Sequence, residues 1–573
     1  MRKLSLSILL CVIGIFTPAF GGYYSDIPQT TLQVAKEAIN INYVSPQTKI
    51  VRVGIGNQNF SSYVWDKVSI YGTGEYEIYN NKTYISTFDS NNVVNISTSG
   101  RIFVLTDCEN NVIAEVSGPI IFKSDYGLLG IKDLKRAGKD AQYRGQIELV
   151  PAIKEGQFHI VNSLDVEQYL KGVVPNEMPV RFGLEALKSQ AVAARNYVLS
   201  PRIKSNPNYD VVDSVASQVY FGANTEKELS NQAVHETTGI VALYDWDLIL
   251  ALYSSTAGGY TESYENAFSD PKTKAFPATD SKPYLKAKPD YDSFKPLNQE
   301  EDAYEFYKTK PKAFDNQSPY YRWTREWTQE ELQTEVQNHI AAQSDAGFVS
   351  PKVQKGQVID KILRLNVLER GDSGKIMKIQ IETESENYIV EKELVIRRLF
   401  TVNGKALPSA NVVFEQEFDE DGNLLKIKAL GGGFGHGVGL SQFGAGYMGE
   451  HLKSSYQDIL KHYYTGISLG TVPVSISGDL KTNTETRTFF VKDGKANLVV
   501  DNKFKVEYLD TVINGVSETL ELNRKERYDK IDLSNYLLKG LNTITFNYPK
   551  YLDKYKSVKF YIEIAGKDEL SGK

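Results

Sequence analysis

Between Ile50 and about Ile160 the sequence advances in short runs that alternate apolar and polar residues, such as Ile50-Val-Arg-Val-Gly-Ile and Ile147–Val150. Turns rich in Gly, Asn and Asp separate them, among them Tyr71-Gly-Thr-Gly and Asp89-Ser-Asn-Asn. Side chains on a strand point alternately to its two faces, so this pattern belongs to sheets that turn one face to a core. The period then changes sharply. In Leu184–Val198 the positions Leu184, Leu187, Ala191, Ala194 and Val198 follow the three-four spacing of a helix packed on a core. Strand-like stretches resume at Gly239–Tyr253. Residues from about 269 to 319 are polar and rich in Lys, Asp and Pro, which predicts an extended surface excursion. A helix is expected over Thr328–Ala342 with Thr328 as its cap, followed by strands from Gly356 to Ile427. Ser454-Ser-Tyr-Gln457 resembles a capping box opening a helix with Tyr456, Ile459, Leu460 and Tyr463 on one face and Gly466 at its end. Beyond Thr471 alternating strands return up to Lys573, predicting a β-sandwich of roughly one hundred residues. The expected class is α+β: mostly β, with a few helices around a substrate groove, plus a C-terminal β-sandwich accessory domain over 471–573.

A chain of 573 residues has room for about three or four domains. Its formal net charge of −6 argues against a nucleic-acid partner, which calls for a basic face. Arg2 and Lys3 precede an apolar run from Leu4 to Phe16, with small residues at Ala19 and Gly21. This is the pattern of a secretory signal peptide over residues 1–21, and the run falls short of the roughly 20 residues of a membrane span. A secreted, periplasmic or wall-associated protein follows, with membrane contact only if the signal is uncleaved. Residues 22–49 read as a polar leader with a short helix at Leu32–Ile39. Cys11 lies inside the apolar run, so only Cys108 remains in the mature chain, which rules out an intramolecular disulfide and a multi-thiolate zinc site.

The chemistry concentrates at Glu177, set among Val173, Val174, Pro175, Met178 and Pro179. An apolar setting disfavours the charged carboxylate, raises its pKa and suits a proton donor working near neutral pH. The competing reading is a cap for the helix that follows, since acids are common in first turns. The run Gly431-Gly-Gly-Phe-Gly-His436-Gly-Val-Gly-Leu-Ser-Gln442 is not a nucleotide-binding loop: no register gives G-x-G-x-x-G, and no Lys-Ser or Lys-Thr follows. Its glycines suit close approach of backbone to a ligand or a neighbouring strand. His159, His235, His339, His451 and His462 have no partner at metal spacing. A catalytic serine at Ser254 with His436 as base lacks both G-x-S-x-G and a third member. The small residues there fit better as a tight polar turn.

Several blocks together resemble the SpoIID/LytB family (stage II sporulation protein D and the amidase enhancer). They are Tyr169-Leu-Lys-Gly-Val-Val-Pro-Asn-Glu177-Met-Pro, Ala186-Leu-Lys-Ser-Gln-Ala-Val-Ala-Ala-Arg195-Asn-Tyr197, Ser217-Gln218-Val-Tyr220-Phe-Gly222, Ser254-Ser-Thr-Ala-Gly-Gly-Tyr260-Thr261, Gly433-Phe-Gly-His436-Gly-Val-Gly-Leu-Ser441-Gln442-Phe-Gly and Ile459-Leu-Lys-His-Tyr-Tyr464-Thr-Gly. They occur in the family's order and span roughly residues 50 to 470. The resemblance implies a β-rich N-terminal part over 50–160 and a catalytic core over 161–470. It also implies a lytic murein transglycosylase that cleaves the MurNAc–GlcNAc bond of peptidoglycan strands, in the sporulation branch strands already stripped of stem peptides. The family's catalytic glutamate matches Glu177. Gln218, Tyr220, Ser254, Tyr260, His436, Ser441 and Gln442 would then hydrogen-bond and stack on the glycan, while Arg195 is either a substrate contact or a structural tie. Some members carry a Cys/His zinc site near the block matching Ser254–Thr261. Here that block has Ser and Ala and no Cys, so no metal is expected, and no cofactor. The family's other branch implies an alternative: a noncatalytic wall-binding protein that stimulates a cell-wall amidase.

Overall fold

The alternating runs of the N-terminal part form two sheets packed on one core. The computed structural model describes residues 49–200, 206–290, 295–478, 483–548 and 556–564. The expected signal, the leader up to residue 48 and the short helix at Leu32–Ile39 lie outside the described residues. One sheet has seven strands and contains Ile50–Gly54, Phe158–Asp165 and Gln146–Pro151 as antiparallel neighbours. The other has six, from Lys139–Tyr143 at one edge to Val112–Ser117 at the opposite edge. Their inward residues, Val51, Val53, Ile70, Val94, Phe103, Phe122, Ile147 and Ile160 among them, belong to a single buried cluster. Burying such side chains is worth about 1.5–3 kcal/mol each, which makes this register costly to shift.

Strand Phe158–Asp165 runs straight into helix α1 (Val166–Glu177), and Asp165 caps it by accepting from the backbone N–H groups of Glu167 and Gln168 at 2.8 and 3.3 Å. Sequence patterning does not reveal α1, because Gly172 and Pro175 both disfavour a helix interior. Packing overrides them. A Cβ at position 172 would lie 2.6 Å from the Tyr220 ring, so glycine is what lets that ring seat against the helix. Beyond Pro175, the Asn176 amide donates to the Gly172 carbonyl at 2.7 Å.

A single turn at Val180–Phe182 leads to helix α2 (Leu184–Leu199), the expected one, extended by a residue. Its burial is not confined to one face: Lys188, Ser189, Gln190, Arg195 and Asn196 are buried along with the apolar positions. α2 is wrapped on several sides by α1 and by the helices Glu228–His235, Gln442–Glu450 and Tyr456–Tyr463. The last of these does carry a capping box, but one residue later than expected, with Ser455 as cap and Asp458 reaching back.

The stretch around 269–319 is not simply extended. It contains helix Glu300–Lys308, whose Ala303, Phe306 and Tyr307 are buried at helical spacing. After it the chain builds a unit with its own core. Helix Gln329–Asp345 opens on the expected Thr328 cap, completed as a box by Glu331. It packs with a three-stranded and a four-stranded sheet around Trp327, Leu332, Ile379, Ile396 and Ile427. The chain then returns through the glycine-rich run, and Leu440–Ser441 pairs in parallel with Tyr253–Ser254.

Past residue 471 eight strands among the described residues form two facing layers. Thr484–Val491, Gly540–Asn547, Tyr508–Ile513 and Val516–Glu521 make one sheet. The other contains Ala496–Asp501, Tyr528–Asp532 and Ser557–Ile564, and it continues through Ser468–Gly470 into Val241–Tyr244 of the core. Tyr561 packs on Val241 and Leu243. The architecture is α+β. Because strand Ser557–Ile564 completes a sheet that the core shares, deleting the residues after Thr471 is expected to lower the thermal midpoint of the remaining chain. An unchanged midpoint, followed by circular dichroism, would show the two parts to be independent.

Candidate active site

Glu177 closes α1 and does not cap α2, which starts behind Gly183 at φ 84°. A carboxylate at the C-terminal end of a helix faces the negative end of its dipole, and that disfavours ionisation. Burial acts in the same direction. It pushes the Glu177 carboxyl from 4.5 up to about 7, against the lowering effect of hydrogen bonds from the Val219 N–H and the Tyr253 hydroxyl. The Val219 bond to Oε1 is 2.6 Å long. Among the described residues no second carboxylate contributes to the shift.

The two donors are themselves fixed. Tyr253 accepts from the Gln218 amide at 3.0 Å, and the other end of that amide accepts from the Tyr169 hydroxyl at 3.1 Å. This orients Gln218, so the Tyr253 proton is free to point at Glu177. Burial holds the Tyr253 phenol well above its ordinary pKa. The loop that carries Val219 begins at Asp213, a fully buried carboxylate. Asp213 accepts from Arg136 at 2.7 and 3.1 Å and from the Gly56 N–H at 3.0 Å. Burial raises the pKa of Tyr197, against the lowering effect of its hydrogen bond with Ser217, and the nearby Glu177 adds to the rise.

His436 reaches the same place from the glycine-rich run. Its Nδ1 accepts from the Val438 N–H at 3.0 Å, so the ring proton sits on Nε2, and it donates to the Tyr253 carbonyl. Burial lowers its pKa to about 4, which keeps it neutral. It is a clamp on the backbone of Tyr253 and is not placed as a base for Ser254.

The other expected residues are buried. Gln218 stands behind Tyr253. Tyr220 lies against α1 and donates to Asn162 at 2.6 Å. Ser254 pairs in register with Ser441, and Ser441 caps the following helix through the Gly444 N–H at 3.4 Å. Gln442 donates to Gln190 at 3.1 Å, and Tyr260 packs with Leu297, Ala303 and Phe306. Arg195 pairs with Glu167 near the start of α1, at 2.8 and 2.5 Å, and donates to the Ile240 carbonyl at 2.9 Å. Of its two open roles, that geometry is the tie. Local sequence does not single out Tyr253, Tyr197 or Val219. Tyr253 adjoins Ser254, and alternation on the strand puts it on the opposite face, which was the available signal. Among the described residues no group of three or more His, Cys, Asp or Glu side chains is placed to hold a metal ion. No helix among them is long and apolar enough to cross a membrane.

Residues 154–244 match the family model described as Stage II sporulation protein. Residues 272–439 match a second model, described as a domain of unknown function (DUF8618). The chain is 31% identical over 315 residues to a protein named amidase enhancer from Bacillus subtilis (strain 168), a stretch covering 52% of this chain and 40% of that one. It is 28% identical over 328 residues to stage II sporulation protein D of Bacillus amyloliquefaciens, covering 54% and 76% of the two chains. To the protein of that name from Bacillus subtilis (strain 168) it is 26% identical over 325 residues, covering 54% and 75%. The chain thus spans two fifths of the length of the enhancer it matches.

A pKa raised in the folded state makes the ionised group a cost to folding. That cost is absent below the unfolded value of 4.5 and is fully present above about 7. Glu177→Gln is therefore expected to raise the thermal midpoint at pH 8 and to leave it unchanged at pH 4.5. Equal midpoints at both pH values would contradict the raised pKa.

Proposed function

We propose that the chain, which resembles the SpoIID/LytB family through its Stage II sporulation protein region, is a secreted lytic transglycosylase of peptidoglycan. The observation that carries this reading is the Glu177 carboxyl: single, poised near neutrality, and met by two donors that favour its ionised form. Hydrolytic glycosidases generally need two carboxyl groups, one as acid and one as base or nucleophile. A lytic cleavage needs one. Protonated Glu177 gives its proton to the glycosidic oxygen of the MurNAc–GlcNAc bond as the bond from C1 breaks. The Val219 N–H and the Tyr253 hydroxyl stabilise the carboxylate that results. That carboxylate then takes the proton of the MurNAc 6-hydroxyl while its oxygen closes on C1, giving a 1,6-anhydro end. The nucleophile belongs to the same sugar, so no water has to be positioned. Glu177 ends protonated, ready for the next bond.

Incubation with purified glycan strands stripped of stem peptides is expected to yield 1,6-anhydro ends in mass spectra. Glu177→Gln should reduce their rate of appearance by roughly 10²–10⁴-fold, the usual worth of a general acid–base. If the wild-type chain gives no such ends yet stimulates a cell-wall amidase, it acts as a noncatalytic enhancer and the transglycosylase reading is wrong.

The cleaving form is the protonated one, so the rate should fall as pH rises through about 7. Tyr253 lowers the Glu177 pKa by its hydrogen bond. Tyr253→Phe is therefore expected to move the fall to higher pH while slowing the reaction. A fall at unchanged or lower pH would remove Tyr253 from the site.

A further inference from the structure

Two large aromatic rings stand on the surface beside the glycine-rich run. Phe434 is 40% exposed and Tyr320 is 36% exposed. Their ring centroids are 4.5 Å apart with 30° between planes. Scattered exposed apolar residues are ordinary, but two pre-packed rings on a fixed backbone are not. The fixing is thorough. Phe434 donates its N–H to the Thr256 carbonyl at 2.9 Å, the Gly433 N–H donates to the Tyr320 carbonyl at 2.8 Å, and Trp323 donates to the Gly433 carbonyl at 3.1 Å. The flanking Gly433 and Gly435 have φ of 94° and 106°, a region side chains rarely adopt. A Cβ on Gly435 would lie 2.8 Å from that of Ser254. The neighbouring rings Tyr321, Phe306 and Tyr307 are covered by the Arg322 guanidinium at 4.1, 4.5 and 5.3 Å. Among the described residues no cation covers Phe434 or Tyr320.

We propose that Phe434 and Tyr320 form a stacking platform for the pyranose rings of a glycan strand, a subsite built jointly by the glycine-rich run and the loop just before Trp323. An aromatic face carries negative charge density and favours the apolar C–H face of a sugar. Thr256, which pairs with Phe434, lies three residues along the chain from Tyr253, whose hydroxyl meets Glu177. The platform rests on the glycan reading of the Glu177 site.

Binding of purified peptide-free glycan strands to the full chain carrying Glu177→Gln, which removes turnover, tests it. Adding Phe434→Leu or Tyr320→Ala should weaken binding roughly tenfold, as the loss of one aromatic contact does, with the thermal midpoint unchanged. Phe434→Trp should retain it. Undiminished binding by Phe434→Leu and Tyr320→Ala, or an equal loss in Phe434→Trp, overturns the platform while leaving the Glu177 reading intact. No binding by the Glu177→Gln parent overturns both.

Discussion

The hydrogen bond between the Val219 N–H and Glu177 joins the end of a helix to the loop that begins at Asp213. It satisfies a carboxyl group that burial and the helix dipole both push towards its neutral form. With no donor that carboxyl would hardly ionise, and with several more it would not hold a proton at neutral pH. The opposition of burial by two donors leaves it at a pKa where it can both give and take a proton.

Most of the surrounding structure holds those partners in place. Asp165 caps one end of α1 and Arg195 ties Glu167 near that end, so Glu177 is delivered at the other end of a rigid rod. The Arg136–Asp213 pair belongs to the N-terminal sheets, yet it fixes the loop that carries Val219. Truncating one partner of such a buried pair typically costs 3–5 kcal/mol, because the other charge is left alone. His436 clamps the Tyr253 carbonyl, which connects the glycine-rich run to the acid without itself titrating near neutral pH. These segments thus build one site largely from behind. Most of their polar residues are buried ties, and only a few groups meet the carboxyl.

Local periodicity made α2, the Thr328 cap, the N-terminal sheets and the apolar setting of Glu177 legible. Position-specific rules failed where packing overrode propensity. Gly172 and Pro175 hid α1, because nothing in the local sequence announces the Tyr220 ring that Gly172 admits. The polar stretch near 269–319 hid helix Glu300–Lys308, whose apolar face is only three residues wide. The pairing of Tyr253 with Leu440, and of Gly470 with Glu563, joins residues far apart in sequence, and no local pattern encodes such a contact. For the same reason the local sequence draws attention to Ser254 and not to Tyr253.

The account stands on the ionisation of one carboxyl group. Infrared difference spectra between the wild-type chain and Glu177→Gln, recorded across a pH series, isolate the carboxyl band of that side chain. The account predicts that the band titrates with an apparent pKa of about 7. Titration near 4.5, the value of an ordinary glutamate, would contradict it.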